Sequence, residues 1–199
     1  MKKVIEKINY LLILIAIIGS YYYVFTRDDQ IGLILKDASI IITITLPYII
    51  EKLFKKELSS VIKTSYIMFI FVAQFLGVTV ELYNMIPWFD KFTHWLSGLL
   101  TALLSMSLLS YIKMYDNRKV VFNIIWMVSI TLAVASLWEC FEYIANIFFG
   151  GDAQRVATTG VNDTMQDIIV ALIGSIIVSL MYLYEISMNK LGIVNSFSK

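Results

Sequence analysis

The chain has 199 residues, of which 59% are apolar and 16% are charged, and its mean hydropathy is +0.77. A soluble domain is about half apolar and about a quarter charged, so this composition excludes a disordered tail and an ordinary soluble domain. One cysteine, Cys140, and one histidine, His94, exclude an intrachain disulfide framework and a Cys/His zinc finger. A formal net charge of +1 gives no overall attraction for nucleic acid.

Long runs without charge predict an all-α, polytopic integral membrane bundle with six transmembrane helices. Five runs have 17 to 21 residues, close to the roughly 20 residues that cross a hydrocarbon core. These runs are Ile8–Phe25, Thr64–Val80, Phe92–Ile112, Val120–Trp138 and Ile168–Tyr184. The second helix is built on the shorter run Ala38–Ile50. It reaches spanning length if it begins near Leu33 and carries Lys36 and Asp37 near that end of the helix.

The positive charges predict the orientation of these six helices. Twelve of the sixteen lysines and arginines fall on one side of the membrane, and the other side holds Arg27, Lys36, Lys91 and Arg155. Cytoplasmic loops are rich in lysine and arginine. Both termini are therefore expected in the cytoplasm (N-in, C-in), in a multi-pass protein of the cell membrane.

Helices four, five and six carry more small residues than the first two helices. In lipid, small residues let helix backbones approach closely, so they mark the contacts between helices. They include Ser97, Gly98, Thr101, Ala135, Ser136, Ala171 and Gly174. We therefore expect residues 1–60 to form a peripheral hairpin and residues 61–188 to form a core four-helix bundle. Residues 189–199 are expected to be a cytoplasmic tail.

Acidic residues and the histidine gather at the predicted outer ends of the helices. They form three pairs on helices four, five and six, namely Asp90 with His94, Glu139 with Glu142, and Asp163 with Asp167. Each pair is spaced three or four residues apart, so its members share one helix face. Those faces continue into the stripes of small residues, and the pairs are therefore expected to point into the bundle.

A divalent-metal site is the most specific interpretation of these six residues. Ionised carboxylates near hydrocarbon are costly unless a metal, bound protons or water compensates them. Oxygen ligands suit Mg²⁺ or Mn²⁺, and one imidazole also allows Zn²⁺. The expected ligands are Asp90, His94, Glu139, Glu142, Asp163 and Asp167. His94 or Glu142 is instead the general base if it does not ligate, and Arg155 is expected to bind a substrate phosphate.

The same residues also have structural interpretations. Asp90 and Asp163 are placed where they can cap the fourth and sixth helices. Glu139 and Glu142 fit a structural role less well, because they lie within an apolar helix. The loop Gly150–Asn162, made pliable by its glycines, is either a lid over the polar cluster or a plain connector.

Three segments resemble the YjdF-like family of small bacterial membrane proteins. They are D-K-F-T-H-W-L-S-G at Asp90–Gly98, W-E-C-F-E at Trp138–Glu142 and N-D-T-M-Q-D-I-I-V-A-L-I-G at Asn162–Gly174. Their order is similar to that in VanZ-like proteins, which are associated with low-level glycopeptide resistance. Glu142 stands where those proteins often have Gln, which favours the YjdF-like family. The resemblance covers roughly residues 65–185 and implies a shared polar site rather than a particular reaction.

Three functions are compatible with this sequence. The first is a metal-dependent enzyme that acts on a membrane lipid or a lipid-linked substrate at the outer leaflet. The second is a non-catalytic membrane accessory protein in which the acids form a structural cluster. The third is a cation- or proton-coupled transporter, which ranks last because the inner half of the bundle has no matching polar residues. Membrane lipids are the expected partners, nucleic acid is not expected, and no motif indicates an oligomeric state.

Overall fold

The computed structural model describes residues 2–26, 30–55, 57–150, 152, 154–189 and 192–197, with the backbone alone for residues 2, 30–38, 149 and 195. Arg27, Gly151 and the side chains of Lys36 and Asp37 lie outside this description. The described residues are helical and include no strand. The helices are α1 Lys2–Thr26, α2 Gln30–Phe54, α3 Ser60–Ile70, α4 Leu82–Met85, α5 Phe89–Tyr111, α6 Val120–Phe149, α7 Val156–Thr159, α8 Asn162–Ser187 and α9 Ile193–Phe197.

Five helical segments within the described residues are long and apolar enough to cross a membrane. They are Lys3–Thr26, Ser60–Thr79, Phe89–Tyr111, Val120–Phe148 and Asn162–Ser187. The predicted all-α membrane protein is thus confirmed, with five candidate spans. Helix α2 is a continuous 25-residue helix through Pro47, but its side chains are described only from Ser39 onward. The sixth span and the N-in, C-in orientation therefore stay predictions.

The chain divides into two compact units, Met1–Phe89 and Asp90–Lys199. The expected boundary at residue 60 falls between α2 and α3, which pack against each other in the first unit. The third helix thus lies with the first two, whereas the sequence analysis grouped it with the later helices. The reason is its side chains, because large apolar residues of α3 complete the core of the first unit. That core contains Ile13, Ala16, Ile44, Ile67, Ile70 and Phe75.

An ion-pair cluster joins three helices of the first unit. Lys63 of α3 is 6% exposed, and its Nζ lies 2.9 Å from Glu6 Oε1 and 3.0 Å from Glu51 Oε1. Tyr48 donates a hydrogen bond of 2.8 Å to Glu6 Oε2, and its ring lies under the ammonium. Lys63 counted among the cytoplasmic loop charges in the sequence analysis, but its ammonium is an interior cation of this unit.

Helix α3 continues as a π-helix, Phe71–Thr79. Glu81 follows in the left-handed region, with φ of 66°, and precedes the short helix α4. This geometry ends the third span close to the residue where the sequence placed its end. Glu81 is exposed and belongs to the first unit.

The second unit is built from α5, α6 and α8 with small residues at their contacts. A β-carbon added to Gly98 of α5 would overlap the carbonyl oxygen of Ala171 of α8. One added to Gly174 would lie 2.6 Å from the carbonyl oxygen of Trp95. The backbones of α5 and α8 are therefore in contact. The small-residue stripes of the sequence mark this contact.

The described part of the expected cytoplasmic tail folds back onto the second unit. Val194 donates its backbone N–H to Oε1 of the buried Glu185, at 2.9 Å. Ser107 of α5 donates a hydrogen bond to the carbonyl oxygen of Phe197. Val194 and Phe197 are both buried, so α9 belongs to the packed unit.

Candidate metal centre

Three helices of the second unit bring their polar residues to one place. The first turns of α5 carry Asp90 and His94, and the start of α8 carries Asp163 and Asp167. Glu139 lies two-thirds of the way along α6. The backbones of α5 and α8 are in contact at Gly98 and Ala171. His94 and Asp167 lie one helical turn before those residues, so their side chains face each other across a short gap.

His94 is at the centre of the cluster. Its Nε2 lies 3.8 Å from Asp90 Oδ1, 3.9 Å from Glu139 Oε1 and 3.9 Å from Asp167 Oδ1. These distances are longer than a direct hydrogen bond. They fall within the range of about 3.0–4.2 Å that separates two ligand atoms at ~2.1 Å from one metal ion. Each of these three carboxylates, which come from three helices, is as far from the imidazole as two ligands of one metal ion are from each other.

One ligand atom from each of Asp90, His94 and Asp167 fits a common centre. These three atoms lie within 4.8 Å of one another, so small movements of the side chains would let all three coordinate one ion. His94 and Asp167 are 8% and 3% exposed, which protects such an ion from bulk water. Two carboxylate oxygens and one imidazole nitrogen suit Mn²⁺, Zn²⁺ or Mg²⁺.

Glu139 adds a carboxylate oxygen that no described residue satisfies. The residue is 4% exposed, and Oε1 has no hydrogen-bond partner among the described residues. Its other oxygen and its backbone carbonyl accept hydrogen bonds from Gln154 Nε2, at 3.2 and 2.9 Å. A buried carboxylate oxygen without a partner is costly. The orphaned Oε1 lies 3.9 Å from His94 Nε2, so it faces the histidine of the candidate centre.

Lys91 is the cation of the cluster. Its Nζ lies 2.6 Å from Asp163 Oδ1 and 2.8 Å from both oxygens of Asp167. It also lies 3.4 Å from Asp90 Oδ2. The sequence alone predicts no role for Lys91 in the site. One signal was available, because Lys91 is among the few cations expected on the outer side and directly follows Asp90.

The other candidate residues lie around this centre. Asp163 is 5% exposed and contacts it through Lys91. Glu142, one turn beyond Glu139 on α6, is half-buried and accepts a hydrogen bond of 2.8 Å from Trp138 Nε1. The structure therefore groups Asp90, His94 and Asp167 most closely. Glu139 joins them through His94, and Asp163 and Glu142 lie beside them.

The loop between α6 and α8 reaches down to the cluster through Gln154. Gln154 is 7% exposed and binds Glu139 as described above. Arg155, the expected phosphate ligand, follows it with φ of 50° and precedes α7. Gly150 and Gly160 both have positive φ, as the turn residues of this loop require. Gln154 is not predicted from the sequence, because a neutral amide in a polar loop carries no charge or spacing signal.

Comparisons with known proteins identify a family. No curated protein matches this chain, and no solved structure matches it. A family model described as "Predicted membrane protein (DUF2238)" matches residues 8–187. The match includes the first two helices, which lie before the roughly 65–185 range of the resemblance. The chain therefore belongs to the DUF2238 family of predicted membrane proteins, which is the YjdF-like family that its motifs resemble.

Proposed function

We propose that this protein is a multi-pass membrane enzyme that binds a divalent metal and acts on a lipid or lipid-linked substrate near the outer face of the membrane. The proposal rests on one observation, the position of His94. Its Nε2 is nearly equidistant from carboxylate oxygens of Asp90, Glu139 and Asp167. One of these oxygens, Glu139 Oε1, is buried without a hydrogen-bond partner among the described residues. A divalent cation would satisfy both features.

The orientation expected from the sequence supports a site at the outer leaflet. If α2 is the sixth span and both termini are cytoplasmic, α5 and α8 begin at the outer face and α6 ends there. Large apolar side chains near that end of α6 are exposed in the described structure, among them Phe141, Ile144 and Phe148. Acyl chains of the bilayer would contact them. A lipid-linked substrate would therefore reach the cluster by lateral diffusion.

The residues around the cluster have proposed roles in the reaction. A divalent metal, when bound, supplies Lewis-acid chemistry by polarising a phosphoryl oxygen or activating water. Glu142 is the proposed general base, because it lies beside the ligand set and Trp138 orients its carboxylate. His94 takes that role if it does not ligate. Arg155 is the proposed phosphate-binding residue.

Metal content tests the proposal directly. We would purify the full chain in detergent, incubate it with Mn²⁺ or Zn²⁺, remove free metal and measure bound metal by mass spectrometry. His94→Ala and Asp167→Asn are expected to lose the metal that wild type retains. The matched control is Asp152→Asn, an exposed loop acid. A folded wild-type protein that retains no metal would contradict the metal site.

Activity is tested with the same proteins. Purified wild type and variants would be incubated with a polyprenyl pyrophosphate in mixed micelles, with and without Mn²⁺, and released phosphate would be measured. Metal-dependent release by wild type and by Asp152→Asn, but not by His94→Ala, would support the enzyme. Metal binding without turnover of lipid-linked phosphates would restrict the proposal to a metal-binding membrane protein.

A structural role for the cluster is the second candidate function. Its support is Lys91, which neutralises part of the acidic charge through contacts with Asp163 and Asp167. A non-catalytic accessory protein would need no metal for that arrangement. In this case, metal would neither bind to the protein nor change its thermal stability, whereas Asp167→Asn would still lower the stability.

A further inference from the structure

The ammonium of Lys91 contacts one of the carboxylates that the metal site requires. Both oxygens of Asp167 lie 2.8 Å from Lys91 Nζ, and Asp167 Oδ1 is also the oxygen that faces His94. A metal bound between His94 and Asp167 would therefore share this carboxylate with Lys91. Two cations held at one carboxylate repel each other, and the repulsion is stronger away from bulk water.

We propose that Lys91 is a built-in counter-ion, which a divalent metal displaces from Asp167. This inference rests on the proposed metal site and adds the way in which its occupancy is regulated. Asp163 Oδ1, at 2.6 Å from Nζ, retains the ammonium after the exchange. The Lys91 side chain is 21% exposed, so the surrounding residues do not fully enclose it.

The charge of the cluster supports an exchange rather than a permanent ion pair. Asp90, Glu139, Asp163 and Asp167 contribute carboxylates around His94, and Lys91 is the cation bound to three of them. One ammonium leaves an excess of negative charge, and a divalent ion with Lys91 retained on Asp163 largely balances it. Burying like charges without compensation is unfavourable.

Glu139 supplies the second, independent observation. Its Oε1 is buried, faces His94 at 3.9 Å and has no hydrogen-bond partner among the described residues. Lys91 therefore does not satisfy every carboxylate oxygen at the centre. A metal bound at His94 would lie near Glu139 Oε1, the atom that the lysine leaves unpaired.

Binding of Mn²⁺ to Lys91 variants tests the exchange. The full chain would be titrated in detergent and free Mn²⁺ measured by electron paramagnetic resonance. Lys91→Met removes the competing charge and is expected to tighten Mn²⁺ binding about 10-fold, within the usual 5- to 150-fold range of coupling between sites. Lys91→Arg keeps the charge and should stay within about 3-fold of wild type. Lys119→Met, at an exposed loop lysine, is the matched control.

The outcomes separate this inference from the proposed function. Equal or weaker Mn²⁺ binding by Lys91→Met, with binding by wild type intact, would overturn the exchange and make Lys91 a positioning residue for Asp167. Absence of Mn²⁺ binding by all of the proteins would overturn the metal site and the exchange together. Binding by Lys91→Met alone would also overturn the exchange, because Lys91 would then exclude the metal rather than be displaced by it.

A second variant and a second measurement protect the test against misfolding. If Lys91→Met does not purify as a monodisperse protein, Lys91→Gln removes the charge and keeps a hydrogen-bond donor for Asp163. A ligand that binds only the folded state raises its thermal stability. Saturating Mn²⁺ should therefore raise the melting temperature of Lys91→Gln by more than that of wild type. An equal or smaller rise would count against the exchange.

Discussion

Gly98 of α5 and Ala171 of α8 are in direct backbone contact, and no β-carbon fits between them. Gly174 makes the reciprocal approach to Trp95. Small residues at such contacts let membrane helices pack closely. His94 lies four residues before Gly98, and the acid that faces it lies four residues before Ala171. The glycine contact therefore sets the distance across the candidate metal centre.

Replacing this glycine should separate the two helices. Gly98→Val forces the backbones apart, and overpacking of this kind costs about 1–3 kcal/mol. We expect a lower thermal denaturation midpoint in detergent and weaker Mn²⁺ binding. The matched control is Ala133→Val, which adds similar volume at an exposed position of α6. A Gly98→Val protein with unchanged stability and metal affinity would show that the contact does not support the site.

Lys63 is predicted to stabilise the first unit by neutralising two acids. Lys63→Met leaves the half-buried carboxylates of Glu6 and Glu51 without the cation that they share. Removing one partner from a buried ion cluster costs about 3–5 kcal/mol, and we expect the lower end because both glutamates are partly exposed. Unfolding by a denaturing detergent would measure the loss.

A triple variant serves as an internal control for this prediction. Combining Lys63→Met with Glu6→Gln and Glu51→Gln removes the uncompensated charges, so it should recover part of the lost stability. Lys52→Met, at an exposed lysine of α2, should have little effect. If Lys63→Met were as stable as Lys52→Met, the cluster would contribute nothing to folding.

Spacing in the sequence indicates which residues could form the candidate site, whereas it does not indicate how the chain divides. Residues three or four apart on apolar helices share a face, so Asp90 with His94 and the small residues beyond them indicate one inward surface. That reasoning needs no knowledge of neighbouring helices. The assignment of α3 does need it, because its large apolar residues fit either group of helices and only packing chooses between them.

Partners across helices are the part that the sequence does not show. Lys91 and Lys63 are both long side chains, and each looks like a residue that extends to the membrane surface. In the structure, each ammonium instead lies among carboxylates of other helices. The role of Gln154 also cannot be read from the sequence, because its hydrogen bonds to Glu139 join positions 15 residues apart.

Gln154 is predicted to hold the loop between α6 and α8 onto the cluster. Gln154→Ala removes two hydrogen bonds from Glu139, each worth about 1 kcal/mol. We expect trypsin to cleave faster after Arg155, which directly follows. The matched control is Val161→Ala, an exposed position of the same loop. Equal cleavage rates for Gln154→Ala and Val161→Ala would contradict an anchoring role.

The orientation of the chain is predicted to place the loop between α6 and α8 outside the cell and the loop between α5 and α6 inside. In a Cys140→Ser background, a membrane-impermeant maleimide added to intact cells should label Asp152→Cys but not Asn117→Cys or Glu57→Cys. All three positions are exposed in the structure, so protection reports the membrane rather than burial. Lysed cells, in which all three should react, provide the control. The spans α3, α5 and α6 lie between Glu57 and Asp152, so protection of the first with labelling of the second fixes the orientation of these three spans. Protection of a further variant, Lys3→Cys, at an exposed residue near the start of α1, would place the N-terminus on the same side as Glu57. Because α1 is a candidate span, that result requires α2 to cross the membrane as the sixth span. The opposite pattern would place the candidate metal centre at the cytoplasmic face and overturn an outer-leaflet substrate.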